Sequence, residues 1–214
     1  MAPQTLENHL TEDQRNLLAS LTSPVKIQAF LDATPYSPED ADRCPLRVIQ
    51  DCLAHCLDGG LFAAAALRRL GFPPLVVDLF PDPGVDDDHV LAIYKHNGHY
   101  GAVAKSNFAG LRFREPIYRT LRELVLSYFN DFYNINRVKS LRCYTRPLNL
   151  RTMDRLNWEW DDKGAYAIEK RLKELHTTPL LTAKMAQELA LIDEVSYKAG
   201  LINTNLDGVY KPKV

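Results

Sequence analysis

The run from Cys56 to Gly71, Cys-Leu-Asp-Gly-Gly-Leu-Phe-Ala-Ala-Ala-Ala-Leu-Arg-Arg-Leu-Gly, constrains the fold more than any other part of the chain. From Leu57 to Leu70 it is mostly alanine and leucine, with no proline and no β-branched residue, so helix is its favoured state. Gly71, then Phe72-Pro73-Pro74, stops it, since glycine suits the position past the last turn and proline cannot continue a helix. Apolar residues lie on nearly every side, which predicts a helix enclosed by other elements rather than lying on a surface. Gly59 and Gly60 each cost such a helix about 1 kcal/mol relative to alanine. That cost implies a close approach, by a neighbouring strand or by a substrate backbone. Cys56 stands at the N-terminus, where the helix dipole and unpaired N–H groups favour the thiolate. Its plainer reading is a small buried hydrophobe.

The elements on either side differ in kind. Upstream, Thr11-Glu12-Asp13-Gln14 has the capping-box pattern, Ser23-Pro24 opens a second helix that ends at Thr34-Pro35, and Pro45 starts a third. Residues Pro35 to Asp42 read as a polar loop. Downstream, Leu75-Val76-Val77-Asp78-Leu79-Phe80 is a short buried strand. A turn-rich acidic loop through Asp86-Asp87-Asp88 follows. His89 to Lys95 and His99 to Ala104 then form a hairpin about Asn97-Gly98. Leu111 to Arg114 reads as a third extended piece, Pro116 to Phe132 as a helix, and Leu141 to Leu150 as ambiguous strand. Helices over about Lys163–Leu175 and Thr182–Lys198 and a loose tail from Asn203 complete the chain. The expected class is α+β: N-terminal helices and the cysteine helix packed on a small antiparallel sheet. Residues 1–150 form the main domain, and 151–214 a helical C-terminal extension on it.

The charge balance of 26 basic against 27 acidic residues offers no attraction to nucleic acid or an anionic membrane. No run approaches the ~20 apolar residues of a span, and the first residues, Met1 to Asn8, lack a signal-peptide pattern. Four cysteines without a secretory signal read as reduced thiols, so a cytoplasmic location is expected. Oligomeric state is not legible.

Thirty-three residues separate Cys56 from a histidine that opens a strand, His89. A helix on an antiparallel sheet can bring its first residue to the start of a strand, where an imidazole would take the thiol proton and later return it to a leaving group. A third group normally fixes the ring tautomer. The end of the hairpin's second arm supplies Lys105-Ser106-Asn107 there. At this point the chain resembles a bacterial branch of the transglutaminase-like superfamily, an architecture of papain-like cysteine enzymes. The resemblance rests on Cys56 to Pro73 as the cysteine helix and Asp88 to Tyr94 as the histidine strand, within about residues 45–110. It implies a papain/transglutaminase-like core and a Cys-His-Asp triad used for acyl transfer, as amide hydrolysis or transamidation. Cys56 and His89 carry over. The aspartate expected after the aromatic Tyr100 has no counterpart before Glu115, so Asn107 stands in, with Ser106 second. Gly59, Gly60, Lys105 and Ser106 are the expected substrate-binding residues. No cofactor is expected, and the substrate would be a small molecule or a peptide or protein amide.

Two other readings compete. The missing aspartate fits a relative with a decayed site, used as a binding module. Cys52 and Cys56, four apart and so on one helix face, could hold a metal with His55 and other histidines, although their spacing matches no zinc motif. Cys44 and Cys143 read as structural, and His96 and His99 as hairpin-tip residues in solvent. Asp86, Asp87 and Asp88 read as a solvated turn rather than a calcium loop. Arg112, Arg114 and Lys105 read as a solvated strand face more readily than as an anion pocket, and Trp158 and Trp160 as packing aromatics.

Overall fold

A computed structural model describes residues 5–212. Residues 1–4, read above for a signal-peptide pattern, and 213–214 of the tail lie outside them. Four helices come first: α1 (Glu12–Ser20), α2 (Pro24–Ala33), α3 (Pro45–Asp51) and α4 (Cys56–Arg69). Thr11 and Gln14 close the expected capping box, and Ser23 caps α2 with Pro24 at its first position. α3 and α4 are separate helices. Cys52 sits between them with φ 49°, in the left-handed region, which turns the chain and moves Cys52 and Cys56 off a shared helix face. The geometric premise of the Cys52/Cys56 metal reading therefore fails.

The strands are β1 (Leu75–Pro81), β2 (His89–His96), β3 (His99–Val103), β4 (Arg114–Tyr118), β5 (Leu141–Thr145), β6 (Leu148–Asn149) and β7 (Thr177–Pro179). They form one antiparallel sheet in the order β4-β3-β2-β1-β5-β7, with β6 beside the start of β1. Asn97 and Gly98 have φ 49° and 81°, the left-handed pair that lets a two-residue turn follow the strand twist. Between Leu111 and Phe132 the structure departs from expectation. The extended piece is β4, three residues later, and only α5 (Leu121–Leu126) is helical. Strand pairing with β3 takes Pro116 and Ile117, and tertiary pairing outweighs local helix propensity. The last third holds α6 (Asp162–Lys173), α7 (Ala183–Gln187) and α8 (Glu194–Gly200). The single helix expected over 182–198 is broken into the last two.

The sheet divides the apolar interior. Val76, Val90, Ala92 and Tyr94 meet the helices α2, α3, α4 and α6 on one face. Val77, Leu79, Leu91 and Ile93 meet Leu124, Val125, Tyr128 and Phe132 on the other. Period-2 alternation thus buries both sides of β1 and β2. From Cys56 to Leu67 every residue of α4 is buried, as its composition demands. The α+β class holds, and α6 contributes Ala165, Ile168 and Leu172 to the same core as α4.

Candidate functional site

The first turn of α4 is held by a reciprocal cap. His55 Nδ1 accepts the Leu57 N–H at 3.2 Å, and the Asp58 carboxylate accepts the His55 N–H at 3.1 Å and the Arg43 N–H at 2.7 Å. This seats Cys56 at the helix tip with its sulfur buried, the thiol directed at the Asp88 carbonyl 3.7 Å away. The thiolate expectation is reversed here. Burial pushes the Cys56 thiol well above its ordinary pKa, and Asp88, Asp87 and Asp78 push the same way. A helix end offers about half a positive charge, which does not offset desolvation and three nearby carboxylates.

His89 opens β2 on the parity of Leu91 and Ile93, not on that of Val90, which packs against Gly60. Its ring meets Tyr128 and Phe132 edge-on, each centroid 6.4 Å away. Nε2–H donates to the Leu111 carbonyl at 2.8 Å, which leaves Nδ1 with the lone pair. Burial pushes His89 down to about 4, so the ring is a neutral base at pH 7. Among the described residues no hydrogen bond joins His89 to Cys56 or to Asn107. Cys56, His89, Ser106 and Asn107 nevertheless line one small cavity of about 50 Å³.

Asn107 does not orient the ring. Its side chain holds the C-terminal strap: Nδ2 donates to the carbonyls of Asn205 and Gly208 at 2.8 and 3.1 Å, and Oδ1 accepts the Asn205 N–H at 2.8 Å. The Thr204 hydroxyl donates to the Asn107 carbonyl, and Asn205 Nδ2 to that of Tyr36. The described part of the tail expected to be loose is therefore held across the cavity, with Gly208 and Tyr210 on its wall. Ser106 Oγ accepts the Phe108 N–H at 3.0 Å. Lys105 is turned inward, its ammonium donating to the carbonyls of Leu31 and Thr34, and burial pushes it down to about 8. The glycine gap belongs to the neighbouring strands. A Cβ on Gly59 would lie 2.1 Å from Lys105 Cβ, and one on Gly60 2.8 Å from Val90 Cγ1. Gly59 and Lys105 thus serve helix–strand contact and leave no space for substrate between them.

On the other side of Cys56 opens a cleft of about 360 Å³ lined by Tyr36, Asp42, His55, Asp78, Asp87 and Asp88, among others. Asp78 stands on the helix-facing side of the central strand β1, only 2% exposed. Its Oδ1 has no hydrogen-bond partner, and burial pushes its carboxyl well up, as it does that of Asp88. Asp42, His55 and Asp58 bring ligand-type atoms within 4.8 Å of one another. Of these, the Asp58 carboxylate already accepts the His55 and Arg43 N–H groups and lies beside the Arg43 guanidinium. The His55 ring lies 3.3 Å from Asp58 and 3.6 Å from Asp42. Burial would lower its pKa, but these carboxylates more than offset that and raise it. Lys173, on the cleft wall, is paired with Glu169. Arg112 and Arg114 pair with Asp32 and Asp131 outside the cleft. Sequence reading missed Asp78, Tyr36 and the Leu111 carbonyl. Only Asp78 carried a signal, a carboxylate inside a run of β-branched and apolar residues.

The fold and site define an α+β protein with a buried cysteine at a helix tip, between a small cavity and an acidic cleft. No family model matches the chain, and no curated protein matches it. Among solved structures it is similar to LapG of Legionella pneumophila, EGTA-treated. The identity is 13% and the TM-score 0.39, over 78% of this chain and 93% of that one. Among the described residues no helix is long and apolar enough to cross a membrane.

Proposed function

We propose that the chain carries out thiol-dependent acyl transfer or amide hydrolysis through an acyl-enzyme on Cys56, with His89 as base. The observation that carries this reading is the shared cavity. The sulfur at the tip of α4 and a neutral imidazole line the same space, and the ring tautomer is fixed by Leu111 so that Nδ1 is the basic atom. In the first step the Cys56 proton moves to His89 Nδ1 as sulfur attacks the substrate carbonyl carbon. The tetrahedral oxyanion then collapses, and the leaving amine takes the proton from the imidazolium. Water or a second amine attacks the thioester, gives its proton to His89, and Cys56 departs as the thiol. Tyr36, which lines both spaces beside Cys56, would serve as an oxyanion donor. The backbone carbonyl of Leu111 takes the orienting role assigned to Asn107. A carbonyl fixes the tautomer without stabilising an imidazolium as a carboxylate does, which favours a slow enzyme.

A second reading, a binding module with an inactive site, is favoured by the neutral buried thiol and the strap over the cavity. Exposure to an activated ester, followed by intact mass, separates the two. The proposal expects one acyl group on Cys56, none after Cys56→Ala, and a rate lower by about 10²-fold or more after His89→Gln. Acylation that is absent, or indifferent to both substitutions, leaves the binding module.

A further inference from the structure

We propose that the cleft beside Cys56 binds an organic cation, an ammonium or guanidinium group of the substrate, with Asp78 at its floor. This rests on the acyl-transfer reading for the word substrate, though the cation site itself does not. The argument begins with Asp78. A carboxylate on the helix-facing side of a central strand occupies a position where the pleat would place an apolar core residue. Its neighbours Val76 and Val90 are apolar and buried. A buried polar atom without a partner is costly, yet Asp78 Oδ1 is buried and unpartnered at the wall of an open cleft. Such an atom is satisfied by something that enters the cleft.

The rest of the wall says what that is. Asp87, Asp88, Asp40 and Asp207 face the same space, and the cations nearby are already spent, Lys173 on Glu169 and Arg43 on Glu39 and Asp51. Carboxylates thus outnumber unpaired cations on this wall, and since Asp40, Asp87 and Asp207 are exposed while Asp78 is buried, the cleft attracts cations most strongly at low ionic strength. A chelated metal ion needs several ligand atoms converging on one point. Among the described residues the one group that converges is Asp42, His55 and Asp58; it excludes Asp78, and its Asp58 carboxylate is committed to the His55 and Arg43 N–H groups. Carboxylates spread along a wall suit a cation whose donors are themselves spread out, such as the fork of a guanidinium or the three N–H groups of an ammonium. The bound group stays protonated, so it anchors the substrate and is not the attacking amine. It would place an adjoining carbonyl toward Cys56, which lines both the cleft and the smaller cavity.

The test is calorimetric titration of the intact protein with n-butylguanidine and n-butylamine, with 1-butanol and calcium chloride as controls, at fixed ionic strength. Saturable binding of either cation is expected, and no binding of the alcohol. Asp78→Asn should weaken it by about tenfold or more, as loss of a hydrogen bond to a charged group does. Asp87→Asn, at an exposed position, provides a variant whose folding is not at issue and should weaken it severalfold. The proposal is overturned if neither cation binds, if both variants bind as the parent does, or if calcium alone binds. Failure here with Cys56 acylation intact removes the cation site and leaves the acyl-transfer reading. Cation binding without Cys56 acylation does the reverse.

Discussion

Burial acts on His89 and Asp78 in opposite senses, and each has its own pH signature. The His89 ring is lowered to about 4 in the fold from an unfolded value of about 6.5. Its contribution to stability is thus complete above pH 6.5 and is lost as pH falls through 4, by on the order of 3 kcal/mol. His89→Gln should flatten the acid limb of a plot of urea midpoint against pH, and parallel limbs in parent and variant would refute this. Asp78 is raised by burial, so its contribution is present below an ordinary carboxylate pKa and disappears as pH rises through the raised value. Asp78→Asn should therefore stabilise the protein by about 1–3 kcal/mol near pH 8 and not at pH 4. A variant that is less stable at both would mean the carboxylate has a stabilising partner in the fold.

Two elements frame Cys56. α4 brings its first two turns against β2 and the end of β3 only because Gly59 and Gly60 lack a Cβ. Alanine at Gly59 would gain about 1 kcal/mol of helix propensity and lose more through displacement of the Lys105 backbone. A net loss of roughly 1–3 kcal/mol in the urea midpoint is expected. The strap at 204–210 is the second element. Its hold on Asn107 and Tyr36 consists of hydrogen bonds worth roughly 0.5–1.5 kcal/mol each. Truncation after Asn203 should raise the rate of Cys56 alkylation by iodoacetamide by about tenfold or more. An unchanged rate would show that the strap does not gate the sulfur.

For the molecule as a whole, the sheet is shared between the first 150 residues and the remainder, since β7 pairs with β5 and α6 enters the core beside α4. One cooperative unit is the expected outcome. Trp158, 1% exposed, reports on the C-terminal part, and its fluorescence transition in urea should coincide with the far-UV dichroism of the whole. Ile168→Ala should move both together by about 2–5 kcal/mol. Two separated transitions would divide the chain near residue 150.

What the sequence determined by itself is whatever depends on neighbours along the chain. The cysteine helix and its stop at Gly71, the Thr11 and Ser23 caps, the Asn97-Gly98 hairpin and the two strands around it all rest on local propensity and turn chemistry. That Cys56 and His89 line one cavity was also within reach, through the order of helix and strand. What only the tertiary structure decided is what depends on surroundings. The thiol is neutral because unrelated segments bury it and place Asp78, Asp87 and Asp88 around it. Asn107 holds the strap and a carbonyl at Leu111 holds the imidazole, because backbone groups carry no side-chain signature in a sequence. Charge states and backbone partners are set by dielectric and distance in three dimensions, and neither is encoded in spacing along the chain.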